Sequence, residues 1–132
     1  KIMTMKKTTY TLIAAVLITL SATAQSKITK IILEVDGLCG MCKERIENAA
    51  YLTGVKQVNW DKTTHELDVV FRNDKVSEKE IIASINNVGH DVKGSLASAE
   101  QYEQIHGCCR FRDSNLRSKY GLSEALCTEE KK

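Results

Sequence analysis

Apolar and polar side chains alternate from Ile28 to Val35, with Ile31, Leu33 and Val35 on one face and Lys30 and Glu34 on the other. That period of two predicts a half-buried strand. Asp36-Gly37 breaks it. From Lys43 to Leu52 the apolar positions Ile46, Ala49 and Ala50 fall at helical spacing, and Thr53-Gly54 supplies the stop. Val55 to Trp60 predicts a second strand with Val58 and Trp60 on one face, so Trp60 is expected in the sheet core. Asp61-Lys62-Thr63-Thr64 has turn chemistry, and His65 in this polar hairpin is expected to be solvated. Glu66 to Arg72 predicts a third strand through Leu67, Val69 and Phe71. Ser77-Glu78-Lys79-Glu80 has the form of a capping box. It opens a helix with a stripe of Ile81, Ile82, Ile85 and Val88 that Gly89 ends. Asp91 to Leu96 predicts a short fourth strand. Past it, Leu96, Ala99, Tyr102 and Ile105 recur every three residues and predict a short helix; the chain from Gly107 on is polar.

The order strand, helix, strand, strand, helix, strand defines an α+β fold. It is the ferredoxin-like βαββαβ sandwich, a four-stranded antiparallel sheet with two helices on one face, followed here by a C-terminal cysteine-containing tail. The expected organisation is a signal peptide over 1–24, a domain over 25–95, and a tail over 96–132 with a short helix and a Cys-Cys pair.

The leader rests on three features. Met5-Lys6-Lys7 is basic, Thr11 to Leu20 is apolar, and Ala22-Thr23-Ala24 is the small-x-small pattern of a cleavage site. The apolar run is shorter than the roughly 20 residues a membrane span needs. Cleavage near Ala24-Gln25, periplasmic or secreted localisation, and no stable membrane insertion afterwards are therefore expected. Taking Lys1, Lys6 and Lys7 from the 19 basic residues leaves 16 against 17 acids. A near-neutral body offers no electrostatic case for a nucleic-acid partner. All 5 cysteines, Cys39, Cys42, Cys108, Cys109 and Cys127, lie beyond the leader. An exported compartment permits disulfides, but an odd number leaves at least one thiol for another use.

Cys39-Gly40-Met41-Cys42 places two cysteines three apart where a loop enters a helix. The first helical turn carries unpaired N–H groups and partial positive charge, which favour thiolate over thiol at both cysteines. Thiolates are soft ligands for Cu(I), Zn(II) and heavier soft cations. Two of them suit a low-coordinate ion such as Cu(I) or Hg(II); a structural zinc asks for four ligands, and this loop supplies two. The spacing also fits a redox dithiol or a structural disulfide. Thioredoxin-like enzymes rely on a cis-proline near such a pair, and this chain contains no proline. The expected function is non-enzymatic: an exported protein that binds a soft metal ion, Cu(I) or Hg(II) before Zn(II) or Cd(II). A thiol–disulfide redox protein is the alternative.

The strand, the loop Gly37-Leu38-Cys39-Gly40-Met41-Cys42, the following helix and the turn Val88-Gly89-His90-Asp91 resemble the heavy-metal-associated domain family over roughly residues 27–95. The family includes copper chaperones, metal-binding modules of copper-pumping ATPases and a periplasmic mercury-binding protein. The resemblance implies that Cys39 and Cys42 bind the ion and pass it by ligand exchange to a partner, a membrane metal transporter or ATPase. Gly37 stands where the family usually has methionine. His90 stands at a turn position of many members and is expected half-exposed, with an extra-ligand role as the sharper alternative. Cys108, Cys109 and His106 are further candidate ligands. Adjacent cysteines rarely bond to each other. The expectation is therefore either a disulfide from one of them to Cys127, or soft ligands from one or both with His106, as a second site or by folding back over the Cys39–Cys42 loop.

Overall fold

The computed structural model describes residues 27–122. The leader expected over 1–24 and Cys127 lie outside the described residues.

Strands β1 (Ile28–Glu34), β2 (Val55–Trp60) and β3 (Glu66–Arg72) form an antiparallel sheet in the order β1-β3-β2. The register pairs Leu33 with Leu67 and Ile31 with Val69 on one side, and Trp60 with Leu67 and Val58 with Val69 on the other. The predicted apolar positions thus share one face. Helices α1 (Gly40–Ala50) and α2 (Glu78–Asn87) cover that face, burying Cys42, Ile46 and Ala50 from the first and Ile81 and Ile85 from the second. Trp60 lies fully inside, its indole N–H donating to the Val35 carbonyl at 3.0 Å. The Ser77–Glu80 capping box forms as its sequence demands, with both reciprocal bonds present.

The sheet has three strands, not four, among the described residues. Residues 91–96 fold into a tight turn instead. The Val92 N–H donates to the Ser95 carbonyl and the Ser95 N–H returns to Val92, with Gly94 at φ +81°. One bridge, Val35 to Val92, remains of the expected fourth strand. Local polar partners account for the loss. Asp91 caps the Ala97 N–H at 2.8 Å, and the Asn86 amide donates to the His90 and Ser95 carbonyls. These bonds hold the backbone in a bend that a ladder would have to straighten.

Helix α3 (Ala99–Glu103), a 3₁₀ turn (Gly107–Cys109) and helix α4 (Ser114–Lys119) follow. They lie against the domain. Ile105, Cys109 and Phe111 join the same buried core as Leu33 and Ile46. Gly89 makes the close approach feasible. It stops α2 at φ +89°, and a Cβ there would stand 2.5 Å from the Gln101 carbonyl oxygen and 2.7 Å from Ile105. Among the described residues no helix is long and apolar enough to cross a membrane.

Candidate metal centre

Cys39 is the N-cap of α1, in extended conformation, and Cys42 sits one turn in. The helix begins at Gly40, three residues before its predicted start, so both cysteines belong to its first turn. Their sulfurs lie 3.7 Å apart. The loop before them closes over Trp60: a Cβ at Gly37 would come within 3.0 Å of the indole and 3.1 Å of Cys42 Cβ. The indole thus occupies the space beneath the loop, and glycine is what fits above it.

The two thiols differ in environment. Cys42 is fully buried and accepts from the Leu38 N–H at 3.4 Å. Burial prevails there, and its pKa lies above the ordinary thiol value despite that bond. At half-buried Cys39, burial pushes upward but is outweighed. The Cys42 N–H, the thiols of Cys109 and Cys42, and the Met41 N–H together bring Cys39 below the ordinary value, although none of these N–H groups forms a well-aligned cap bond. The expectation of lowered pKa at both cysteines therefore holds for Cys39 alone.

The tail brings its thiols to the same place. Cys109 Sγ lies 3.7 Å from Cys39 Sγ, and Cys108 Sγ lies 3.9 Å from Cys109 Sγ. Cys39, Cys108 and Cys109 form a group whose sulfurs all lie within 4.8 Å of one another. Cys109 is fully buried, and burial pushes its thiol strongly upward, with the neighbouring thiols of Cys42 and Cys39 adding to the rise. All four described cysteines are free thiols. Two more soft or borderline donors flank the outer end: Met41 Sδ at 3.7 Å and His106 Nδ1 at 3.3 Å from Cys108 Sγ.

His90 is neither half-exposed nor in the sulfur cluster. It is buried under the loop, where Nδ1 lies 2.8 Å from the Asp36 carbonyl, and it stacks on Phe111 at 5.4 Å. A carbonyl only accepts, so Nδ1 carries the proton; Nε2 is buried without a hydrogen-bond partner. Desolvation chiefly holds its pKa down at about 4. His65 is likewise not solvated. It is 2% exposed, edge-on to Trp60 at 5.6 Å, with Nδ1 3.5 Å from Asp36 Oδ1. The polar hairpin around it conceals a backbone role. His65 sits at φ +60°, and its carbonyl accepts from the Val35 N–H at 2.9 Å, which turns the ring inward at the end of β1.

The arginines and the phenylalanine that hold the tail in place were not singled out from the sequence. Arg117 is 2% exposed and donates to Asp36 Oδ1 at 2.8 Å and to the Phe111 carbonyl at 3.1 Å. Arg112 forks onto Asp91 at 2.8 and 2.6 Å, donates to the Ala97 carbonyl, and lies 4.3 Å above the Tyr102 ring. Phe111 packs between His90 and Tyr102. The available signals were faint: one aromatic residue in a polar stretch, and Asp113 before Ser-Asn-Leu, which caps α4.

No family model matches the chain, and no curated protein matches it. Solved structures do. A candidate copper-ion-binding protein of Bacillus anthracis, known in solution, is 31% identical, with a TM-score of 0.50; the match covers 52% of this chain and all of that one. The CopZ metallochaperone is 29% identical at a TM-score of 0.47, over 48% of this chain and 98% of its own. Oxidised MerP from Ralstonia metallidurans CH34 is 22% identical at a TM-score of 0.48, over 51% and 96%.

Proposed function

Because the chain belongs to the heavy-metal-associated domain family, we propose that it is an exported carrier of a thiophilic metal ion. Cu(I) and Hg(II) are the first candidates and Zn(II) or Cd(II) the next; Cys39 and Cys42 are the central ligands, and a membrane metal transporter or ATPase receives the ion. The observation that carries this is the pair of sulfurs 3.7 Å apart in the first turn of α1, one at the rim and one buried. The ion is cargo, and the donor set suits it: soft sulfur, no carboxylate in the group, and a helix N-terminus that stabilises negative charge. Cys39, the more acidic and more accessible thiol, makes first contact. Cys42 then gives up its proton and closes the chelate. On release, a partner thiolate displaces the accessible Cys39 first and the buried Cys42 last.

The anaerobic, reduced protein should bind Cu(I) in competition with a chelator of known strength. Cys39→Ser and Cys42→Ser should each lower affinity by roughly a hundredfold or more, since serine oxygen is hard and stays protonated. Parent-like affinity in the double variant would place the site elsewhere.

The uneven thiol pair supports a second reading, a thiol–disulfide redox protein with Cys39 as attacking thiol and Cys42 as resolving thiol. Redox titration separates the two. A carrier keeps one-to-one metal binding under reducing conditions and lacks disulfide-exchange turnover; a redox protein shows turnover and no tight metal.

A further inference from the structure

We infer that Cys108 and Cys109 complete a four-thiolate site with Cys39 and Cys42, so that the tail closes over a tetrahedrally coordinated closed-shell ion of the Zn(II) or Cd(II) class. The inference rests on the reading of Cys39 and Cys42 as metal ligands and deepens it. A loop with two sulfurs favours two-coordinate ions, and the sequence alone leaves Cys108 and Cys109 between a staple and a ligand role. The fold changes the donor count.

Three sulfur-to-sulfur edges match a coordination polyhedron, with Cys39, Cys108 and Cys109 forming the mutual group and Cys42 joined to it through Cys39. With metal–sulfur bonds of about 2.3 Å, the edges of a tetrahedral thiolate site are about 3.8 Å long. The successive sulfur separations run 3.7 Å from Cys42 to Cys39, 3.7 Å from Cys39 to Cys109 and 3.9 Å from Cys109 to Cys108. The ordinary alternative is that two apolar-packed thiols happen to touch two others. Placement argues against it. Cys39 and Cys108 are only half-buried, where packing makes little demand on side-chain identity, and Met41 Sδ and His106 Nδ1 stand beside Cys108 at the mouth. Cys108 and Cys109 are successive residues of a 3₁₀ turn, and both sulfurs reach Cys39.

The tail is also held in a way that suits a ligand-bearing arm. Arg117 on Asp36 fixes α4 immediately after the loop's own strand, and Arg112 on Asp91 fixes the chain just past Cys109. The two anchors enclose the Cys108–Cys109 turn from the C-terminal side, while Ile105 packed at Gly89 encloses it from the other. Coordination then asks chiefly that the Cys42 sulfur draw in toward the other three. Each thiol releases its proton to solvent and the sulfurs close on the ion.

Cd(II) titration of the reduced full chain tests this, read by thiolate-to-metal charge-transfer absorbance and by competition with a chelator. The parent should bind one Cd(II) with the amplitude of four thiolates. Cys108→Ser and Cys109→Ser should each remove about a quarter of that amplitude, and Cys109→Ser should lower affinity by roughly tenfold or more. If both leave amplitude and affinity unchanged while Cys39→Ser abolishes binding, the four-thiolate site is wrong and the two-cysteine carrier stands. If Cys39→Ser and Cys42→Ser are also without effect, the carrier reading itself falls. Should Cys109→Ser fail to fold, alkylation of the unmodified protein decides. Cd(II) should slow labelling of half-buried Cys108 as strongly as that of Cys39; labelling of Cys108 at the metal-free rate with Cys39 protected would overturn the inference.

Discussion

Residues 27–92 cohere through side chains that avoid water, whereas residues 97–122 are attached to them largely through side chains that carry charge. In the first region the buried set is Leu33, Val35, Ile46, Leu67, Val69, Ile81 and their neighbours, arranged by strand and helix periodicity. In the second, Ile105, Cys109 and Phe111 reach the core, but position is set by Arg117 on Asp36 and Arg112 on Asp91. The difference has a physical meaning. Apolar packing is non-directional and tolerates shifts, while a buried ion pair is tolerable only at one geometry, because desolvating both charges offsets most of their attraction. The tail is thus held less by net stability than by register, which is what a ligand-bearing arm requires.

The largest expected effect breaks that register. Arg117→Met leaves the Asp36 carboxylate buried without its guanidinium, and removing one partner of such a pair typically costs about 3–5 kcal/mol. Denaturant unfolding of the metal-free protein should show a loss in that range. Asp36→Asn combined with Arg117→Met should recover part of it, because no buried charge is then left over. A double variant as unstable as the single one would mean that the pair acts through something other than charge.

A smaller effect sharpens the seam between the regions, where His90 stacks on Phe111. Desolvation dominates the lowering of its pKa to about 4, and Arg45 adds to it; the hydrogen bond to the Asp36 carbonyl and the carboxylates of Asp91 and Asp36 oppose. The folded value lies below the unfolded value of 6.5, so the unfolded chain takes up the proton first as pH falls. The contribution is complete above pH 6.5 and is lost progressively down to about pH 4, up to about 3 kcal/mol. Unfolding of the metal-free, reduced protein across that window, in the parent and in His90→Gln, reads it. Equal pH slopes in the two proteins would sink the assignment. The smallest effect lies in the apolar region and serves as its control. Ser77→Ala removes one cap of α2 and should cost about 1 kcal/mol, with Cd(II) stoichiometry unchanged.

The sequence carries the periodic half of this molecule well. β2 and β3 run as their alternation predicts, Ser77 and Gly89 bound α2, and Trp60 lies in the core. What it did not show follows a common rule. The fourth strand failed because Asp91, Asn86 and Gly94 supply local bonds that outcompete a ladder. His65 and His90 were misplaced because burial of an imidazole depends on distant groups, Asp36 above all. Arg112 and Arg117 look like solvated charges until the fold supplies their carboxylates. Of the sulfur cluster, the Cys39–Cys42 half is a local pattern. The Cys108–Cys109 half was legible as one alternative, the fold back over the loop; what no spacing rule encodes is the pair of arginines that fixes it there.

The sulfur contact between Cys39 and Cys109 joins residues 70 positions apart, and the Asp36–Arg117 contact joins residues 81 apart. Contacts of such span form only after shorter ones have reduced the chain's freedom. Loop-closure entropy grows slowly with length, so the delay is one of order and not of feasibility. During folding, the Cys39–Cys42 turn therefore exists before the tail arrives, as an open pair, and the enclosing pair comes last. A nascent chain that meets its ion early would carry it into the folded state as a template, with the tail condensing around a centre already in place. Refolding with Cd(II) present from the start would then be faster in its final phase than refolding followed by loading, a memory of assembly order written into the distance between two pairs of cysteines.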